Sequence, residues 1–270
     1  MASIKTLSTG KPVDLSIRGE LSEIADSVNQ ASQVLSRQNQ ARANWISGVS
    51  HDIRTPLSMI MGYAQRIAGD HGASGNIQKE AEIIRAQSAK IKDLVQDLNL
   101  VSQLEYEMQP LHKEPVRLSK LLRSYAADLL NAGIGEKHSV EVKISSEAET
   151  AVIDCDARLI SRAIGNLVQN SINHNPQGCD IFLSLDCSSE DISITVADNG
   201  VGMSAEKLRE LEEKPHYMES TDERLDLRHG LGLLLVKQIV EAHGGVMKIE
   251  SVPQSGYKTI LTFRRLLSLE

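Results

Sequence analysis

The sequence predicts an α+β protein: a long helical hairpin forming a dimeric four-helix bundle, followed by a two-layer α/β sandwich. Three observations carry that expectation. From Glu20 to Val101 apolar or small side chains follow a three-four spacing, interrupted by a polar stretch from Ser36 to Asn44 and by one turn signal. Pro110 and Pro115 then bracket a linker. Beyond it short β-like runs alternate with helical ones, the texture of helices layered on a mixed or antiparallel sheet.

A chain of 270 residues has room for about two domains. Aromatics make up only 3%, so the cores must be built from Leu, Ile, Val and Ala, which suits helix packing. A net charge of −7 argues against a nucleic-acid partner, because phosphate-backbone binding needs clustered Lys and Arg. Cys155, Cys179 and Cys187 are odd in number and lack CxxC spacing, which disfavours metal and disulfide roles and fits a reducing cytoplasm. No stretch approaches the ~18 consecutive apolar residues that span a bilayer, and the N-terminus does not read as a signal peptide. The expectation is a soluble polypeptide that can be the inner portion of something larger.

Leu7 to Gly19, rich in Ser, Thr, Gly and Pro, reads as a connector. The first helix begins at Glu20 and carries Leu21, Ile24, Val28, Ala31 and Leu35, then Ile46, Val49, Ile53, Leu57, Ile60 and Ala64. Asp70 to Asn76 is the turn. Ile77, Ala81, Ile84, Ser88, Ile91, Val95, Leu98 and Val101 mark the second helix. Such a hairpin leaves an apolar stripe uncovered, and a homodimeric bundle covers it. After the linker, helices are expected at Ser119–Leu130, Ala157–Asn173 (with Asp156 as N-cap) and Gly230–Ala242, the last ended by Gly244-Gly245. Strands are expected at Ser139–Ile144, Ala151–Ile153, Asp180–Leu185 and Ile192–Val196, and a closing hairpin at Val246–Ser251 and Tyr257–Phe263. Lys214 to Arg228 is charged and aperiodic, and reads as a mobile loop placed where a lid would be useful.

Two constellations carry chemistry. Ser50-His51-Asp52-Ile53-Arg54-Thr55-Pro56-Leu57 sets a histidine beside a carboxylate on the first helix. At about 100° per residue, His51 lies roughly 200° from Val49 and Ile53, and so faces outward. A lone outward histidine is ordinary; Asp52 changes that, because a carboxylate can orient the ring and stabilise its charge as it attacks. Neighbours in a helix do not naturally face each other, so the contact depends on rotamers. Pro56 leaves the Asp52 carbonyl without its helical partner.

The second constellation starts with Asn166 and Asn170, four apart on one helix face, whose amide oxygens suit a hard cation such as Mg²⁺. Asp198 ends an apolar strand; an ionised carboxylate only accepts hydrogen bonds, so it can take adenine's exocyclic amine and would repel guanine's carbonyl. Gly200 and Gly202 permit a tight turn beneath a base. Gly230-Leu231-Gly232-Leu233 opens a helix whose free N–H groups suit a phosphate. A polar helix face and structural glycine turns are the plain alternatives for each motif. In this order, and with His51 in the same chain, they point to phosphoryl transfer from ATP to a histidine.

These residues resemble the cytoplasmic core of a bacterial sensor histidine kinase of two-component systems, over roughly Trp45 to Phe263. Ser50–Leu57 is similar to the family's H box, Asn166–Asn170 to its N box, Asp198–Gly202 to G1 and Gly230–Leu233 to G2. Residues 19–33 resemble the connector and second helix of a HAMP module. The resemblance implies three parts: residues 1–40 a partial HAMP or signalling helix, 41–109 the dimerisation and histidine phosphotransfer domain, and 115–268 a GHKL-type ATP-binding domain. It also implies a transmembrane sensor upstream that this chain lacks, and thus the cytoplasmic portion of a membrane-anchored protein. By the same resemblance His51 is the phospho-acceptor, Asp52 its acid-base helper, and Thr55 the orienter of water when a response regulator receiver domain is dephosphorylated. Asn166 and Asn170 would hold Mg²⁺ and phosphates, and Asp198 would read adenine.

Three departures stand out. Asn173-His174 occupies the place of the family's Lys-Tyr near phosphate and base. Arg228 stands where G2 has a further glycine; it or Arg224 can supply the missing lysine's charge. No phenylalanine-bearing F box is recognisable between Met203 and Arg228. A GHKL-type ATPase clamp is the runner-up, but those relatives carry a water-activating glutamate at the position of Asn166. A kinase-weak phosphatase or dimeric scaffold is the third reading.

Overall fold

The structure, a computed structural model, describes residues 22–70, 72, 74–106, 108–134, 137–213 and 227–265. The expected connector at Leu7–Gly19, Glu20 and Leu21, and most of the expected lid with Arg224 lie outside the described residues. The chain divides into two compact units, Met1–Gln109 and Pro110–Glu270.

The first unit is the expected helical hairpin. Helix α1 spans Ser22–Ala68 and α2 spans Gly75–Glu105. Gly75 and Asn76, expected in the turn, instead open α2, with Ser74 at its N-cap. The helix continues through Pro56. The packing seam is narrower than the sequence predicts. From Ala43 onward the buried residues of α1 recur every seven positions, Ala43, Ser50, Leu57 and Ala64, and α2 meets them with Ala81 and Ser88. Small side chains there let two backbones approach. Ile53 and Ile60, expected in that seam, lie on a second stripe with Ile67, while Ile84, Ile91 and Leu98 form its counterpart in α2; all remain exposed in the single chain.

The second unit is the two-layer sandwich. Strand β1 (Glu114–Arg117) pairs antiparallel with β3 (Val152–Cys155). Pro115 therefore belongs to a strand and not to a linker, at the edge of a two-stranded sheet where a missing N–H is tolerated. Between them lie α3 (Leu118–Ala132) and β2 (His138–Ile144). Then follow α4 (Ala157–His174), β4 (Cys179–Cys187), β5 (Asp191–Asp198), α5 (Ala205–Glu213), α6 (Leu227–Ala242), β6 (Val246–Val252) and β7 (Gly256–Arg264). Helix α5 has no counterpart in the sequence reading. The main sheet has the order β2-β4-β5-β7-β6, parallel only between β2 and β4.

Period-two burial builds the sheet's inner face: Ile181, Leu183 and Leu185 of β4, Ile192, Ile194 and Val196 of β5, Leu261 and Phe263 of β7. Leu159, Ile160, Ala163, Ile164, Leu167 and Val168 of α4 cover it, beside Leu233, Leu235, Val236, Ile239 and Val240 of α6. Asp156 caps α4 as expected, its side chain accepting from the N–H groups of Arg158 and Leu159. His243, just past α6, accepts from the Asp156 N–H through Nε2 at 3.0 Å, and its Nδ1 lies 2.7 Å from the Ile239 carbonyl. That imidazole ties the end of α6 to the start of α4.

Candidate functional site

In the first unit, Ser50 is buried while the next two side chains reach solvent: His51 is 74% and Asp52 85% exposed. The outward orientation expected for His51 is what the helix produces. Its Nδ1 lies 3.4 Å from Asp52 Oδ1, a long contact between neighbours that helix geometry alone does not provide. With Nδ1 turned to the carboxylate, Nε2 is the ring nitrogen left facing outward. Thr55, one turn further on, is exposed as well.

In the second unit, the end of β5 and the end of α4 converge. Ser171 Oγ donates to Asp198 Oδ2 at 2.7 Å, and the Gly200 N–H donates to Asp198 Oδ1 at 2.9 Å. Asn175 Nδ2 donates to the Ser171 carbonyl at 2.8 Å and reaches Asp198 Oδ1 at 3.4 Å. Its Oδ1 accepts from the Val201 N–H at 2.9 Å. All three side chains are more than nine-tenths buried. Asn175 thus fastens the carboxylate to the turn that follows it. A Cβ on Gly200 would stand 2.0 Å from Asn175 Oδ1, so only glycine admits this clamp. Gly202 has φ +62°, and a Cβ there would meet the Val252 carbonyl at 2.1 Å.

Asp198 lines a cavity together with Ser171, Asn175 and the apolar Val201, Met203 and Leu233. Asn170, His174, Gly202 and Tyr257 complete it. Apolar walls with a few fixed polar groups are what a flat heteroaromatic ring needs. Burial, the larger cause, and the nearby Asp198 raise the Cys179 thiol, and burial first of all pushes Cys155 up to about 12.

Asn166 and Asn170 face α6. A Cβ at Gly232 would lie 3.8 Å from Asn170 Oδ1 and 4.0 Å from Asn166 Oδ1, so the two motifs meet at one point. Asn166 Nδ2 is buried and without a hydrogen-bond partner. Helix α6 begins at Leu227, three residues before the sequence reading puts it. Gly230, Leu231 and Gly232 therefore lie within its opening turns and not at its first free N–H groups. Arg228 is on the same helix, its side chain outside what is described. Asn173 is not among the cavity residues; it is exposed and accepts from Gln169 Nε2 at 2.9 Å.

Sequence reasoning missed Ser171, Asn175 and Tyr257. The first two were within reach: they are four apart, five residues after Asn166 and Asn170 respectively, at the C-terminal end of the same helix. Tyr257 enters only through the register of β7 against β5, which no local pattern discloses.

Comparison with known proteins gives two family matches. Residues 155–267 match the histidine kinase-, DNA gyrase B-, and HSP90-like ATPase family, and residues 41–107 match the His Kinase A (phospho-acceptor) domain. The sensor histidine kinase YvrG of Bacillus subtilis is 26% identical over 95% of this chain and 46% of its own length. The phosphate regulon sensor protein PhoR of Pseudomonas aeruginosa is 26% identical over 80% of this chain and 48% of its own. The chain thus spans about half the length of these relatives. Two solved structures share the fold. Full-length ShkA in complex with AMPPNP has a TM-score of 0.67 at 19% identity, over 83% of this chain and 46% of that one. The histidine kinase AdeS of Acinetobacter baumannii has a TM-score of 0.55 at 19% identity, over 79% and 97%.

Proposed function

This chain belongs to the sensor histidine kinases of two-component signalling, and from that premise we propose that it phosphorylates itself on His51 with ATP and passes the phosphoryl group to an aspartate of a response regulator receiver domain. The observation that carries the proposal is the exposed His51 ring, with Nδ1 held toward Asp52 and Nε2 open. A neutral imidazole protonated at Nδ1 presents its lone pair at Nε2. Attack of Nε2 on the γ-phosphorus of ATP forms the N–P bond as the bond to the β-γ bridging oxygen breaks and ADP leaves. The ring turns cationic in that step, and Asp52 stabilises the charge and takes the Nδ1 proton.

The nucleotide is held by the second unit. The donors from Ser171 and Gly200 fix Asp198 as an acceptor for the adenine amine between apolar walls. The triphosphate runs toward Asn166, Asn170 and Gly232, where the unpartnered Asn166 Nδ2 gains a phosphate oxygen. The same place fits Mg²⁺. Among the described residues no group of three or more His, Cys, Asp and Glu could hold a metal. Neutral amide oxygens are hard ligands too weak to keep the ion alone, so it arrives with the phosphates. When bound, Mg²⁺ neutralises charge on the β- and γ-phosphates.

The apolar stripes of Ile53, Ile60 and Ile67 and of Ile84, Ile91 and Leu98 support a homodimeric four-helix bundle. Residues 1–40, 41–109 and 115–268 are the corresponding signalling, phosphotransfer and ATP-binding parts. No described helix is long and apolar enough to cross a membrane; the membrane-anchored sensor belongs to the proposal. The exposed Thr55 on the His51 side of α1 supports dephosphorylation of the regulator by the same chain. Asn166 disfavours an ATPase clamp, since an amide cannot act as a base toward water. Incubation with labelled ATP tests the reading: a phosphoramidate is lost in acid and kept in alkali, whereas a clamp releases free phosphate and a scaffold does neither.

A further inference from the structure

The turn after Asp198 supplies Val201, Gly202 and Met203 to the cavity, and it is fastened from two sides. From the end of α4, Asn175 Oδ1 accepts from the Val201 N–H. From the other side come β6 and β7 with the short turn between them. Ser251 Oγ accepts from the Met203 N–H at 2.8 Å and donates to the Gly256 carbonyl at 2.9 Å. One half-buried hydroxyl thus bridges the cavity turn and the hairpin turn. The Gln254 N–H donates to the Val201 carbonyl at 2.8 Å. Among the described residues Gln254 is the one non-glycine with positive φ, +62°, a conformation that residues with a Cβ seldom take. Such backbone persists where the surrounding bonds over-determine it, and here it directs an N–H at the cavity turn. The two turns also meet backbone to backbone: a Cβ on Gly256 would stand 1.8 Å from the Asp198 carbonyl.

We propose that Ser251 is a positioning residue for the nucleotide, its hydroxyl holding Met203 so that the cavity wall is in place before binding. The inference rests on reading this cavity as the ATP site. Ser251 is not itself among the cavity residues, so it acts through Met203 and not by touching the ligand. Without the hydroxyl, the Met203 N–H and the Gly256 carbonyl lose their shared partner, and binding must then order the wall. Nothing in the attack of His51 on ATP uses Met203. The loss therefore falls on nucleotide affinity and leaves the rate at saturation as it was.

The test is the rate of acid-labile, alkali-stable phosphate incorporation at rising ATP concentration, in the wild-type chain, Ser251→Ala, Ser251→Thr and Asp198→Asn. Circular dichroism melts on the same preparations establish that each variant folds. Ser251→Ala should raise the half-saturating ATP concentration roughly two- to tenfold, the range of one hydrogen bond, and keep the saturating rate. Ser251→Thr carries a hydroxyl able to make the same two bonds and should restore the wild-type value. An unchanged half-saturating concentration in Ser251→Ala overturns the proposal, whatever happens to its melting temperature. A loss shared by Ser251→Thr overturns it as well, because the hydroxyl is then not the cause. If Asp198→Asn is impaired while Ser251→Ala is not, only the Ser251 assignment fails. If Asp198→Asn leaves half-saturation unchanged, the ATP-site reading fails and takes this inference with it.

Discussion

Ser171 Oγ donates to Asp198 Oδ2 at 2.7 Å, joining the last turn of α4 to the end of β5. Both groups are buried, so the bond orients the carboxylate without competition from water. The carboxylate proposed to read the base is therefore aimed by a helix before any ligand arrives.

Asp198→Asn should weaken ATP binding by about 1.5–3 kcal/mol, the scale of a hydrogen bond to a charged group. Selectivity for adenine over guanine should fall with it, because an amide both donates and accepts. Calorimetry with ATP and GTP checks this, and unchanged affinities would place base reading elsewhere.

Ser171→Ala tests the aiming itself. It should cost about 1 kcal/mol of ATP affinity in the wild-type background. In the Asp198→Asn background it should cost much less, since the charged partner is gone. Strict additivity of the two losses would make Ser171 an ordinary buried serine.

Thr55 lies one turn beyond His51, exposed, with a hydroxyl that can both donate to and accept from water. Nothing in transfer from ATP to Nε2 uses it. Thr55→Ala should keep histidine phosphorylation while losing most dephosphorylation of the regulator. Dephosphorylation at the wild-type rate would reduce Thr55 to a helix-surface residue.

His243 gives the fold a pH dependence. Burial first of all holds its pKa below the ordinary 6.5, and Nε2 must stay unprotonated to accept from the Asp156 N–H. A depressed pKa means that the stabilisation is complete above the unfolded value. It is lost as pH falls through the lower, folded one. Urea midpoints should hold steady above about pH 7 and decline below about pH 6.5, and His243→Gln should flatten that decline. A midpoint equally pH-dependent in both proteins would remove His243 from the account.

Much of this was legible in the sequence because it is local. The three-four spacing announced both long helices, Asp156 announced the start of α4, and period-two runs announced β4 and β5. What escaped depends on pairing. The hairpin seam runs on Ala43, Ser50 and Ala64, whose small size matters only against a facing helix, while the larger Ile53 and Ile60 turn elsewhere. Pro115 looked like a breaker because its partner, Asp154, lies 39 residues on in a different strand. In the site, the motif residues Asp198, Gly200 and Gly202 stood out. Tyr257 did not, since its place beside Asp198 is set by strand register.

The central claim is that His51 in one unit receives phosphate from a nucleotide held in the other. The most direct measurement is acid-labile, alkali-stable phosphate incorporation from labelled ATP into the wild type and His51→Gln, with ATP affinity measured on the same preparations. The account predicts that His51→Gln incorporates none while binding ATP as tightly as the wild type. Phosphohistidine formed at the wild-type level in His51→Gln would contradict it and move the acceptor to another histidine, such as His174 or His229.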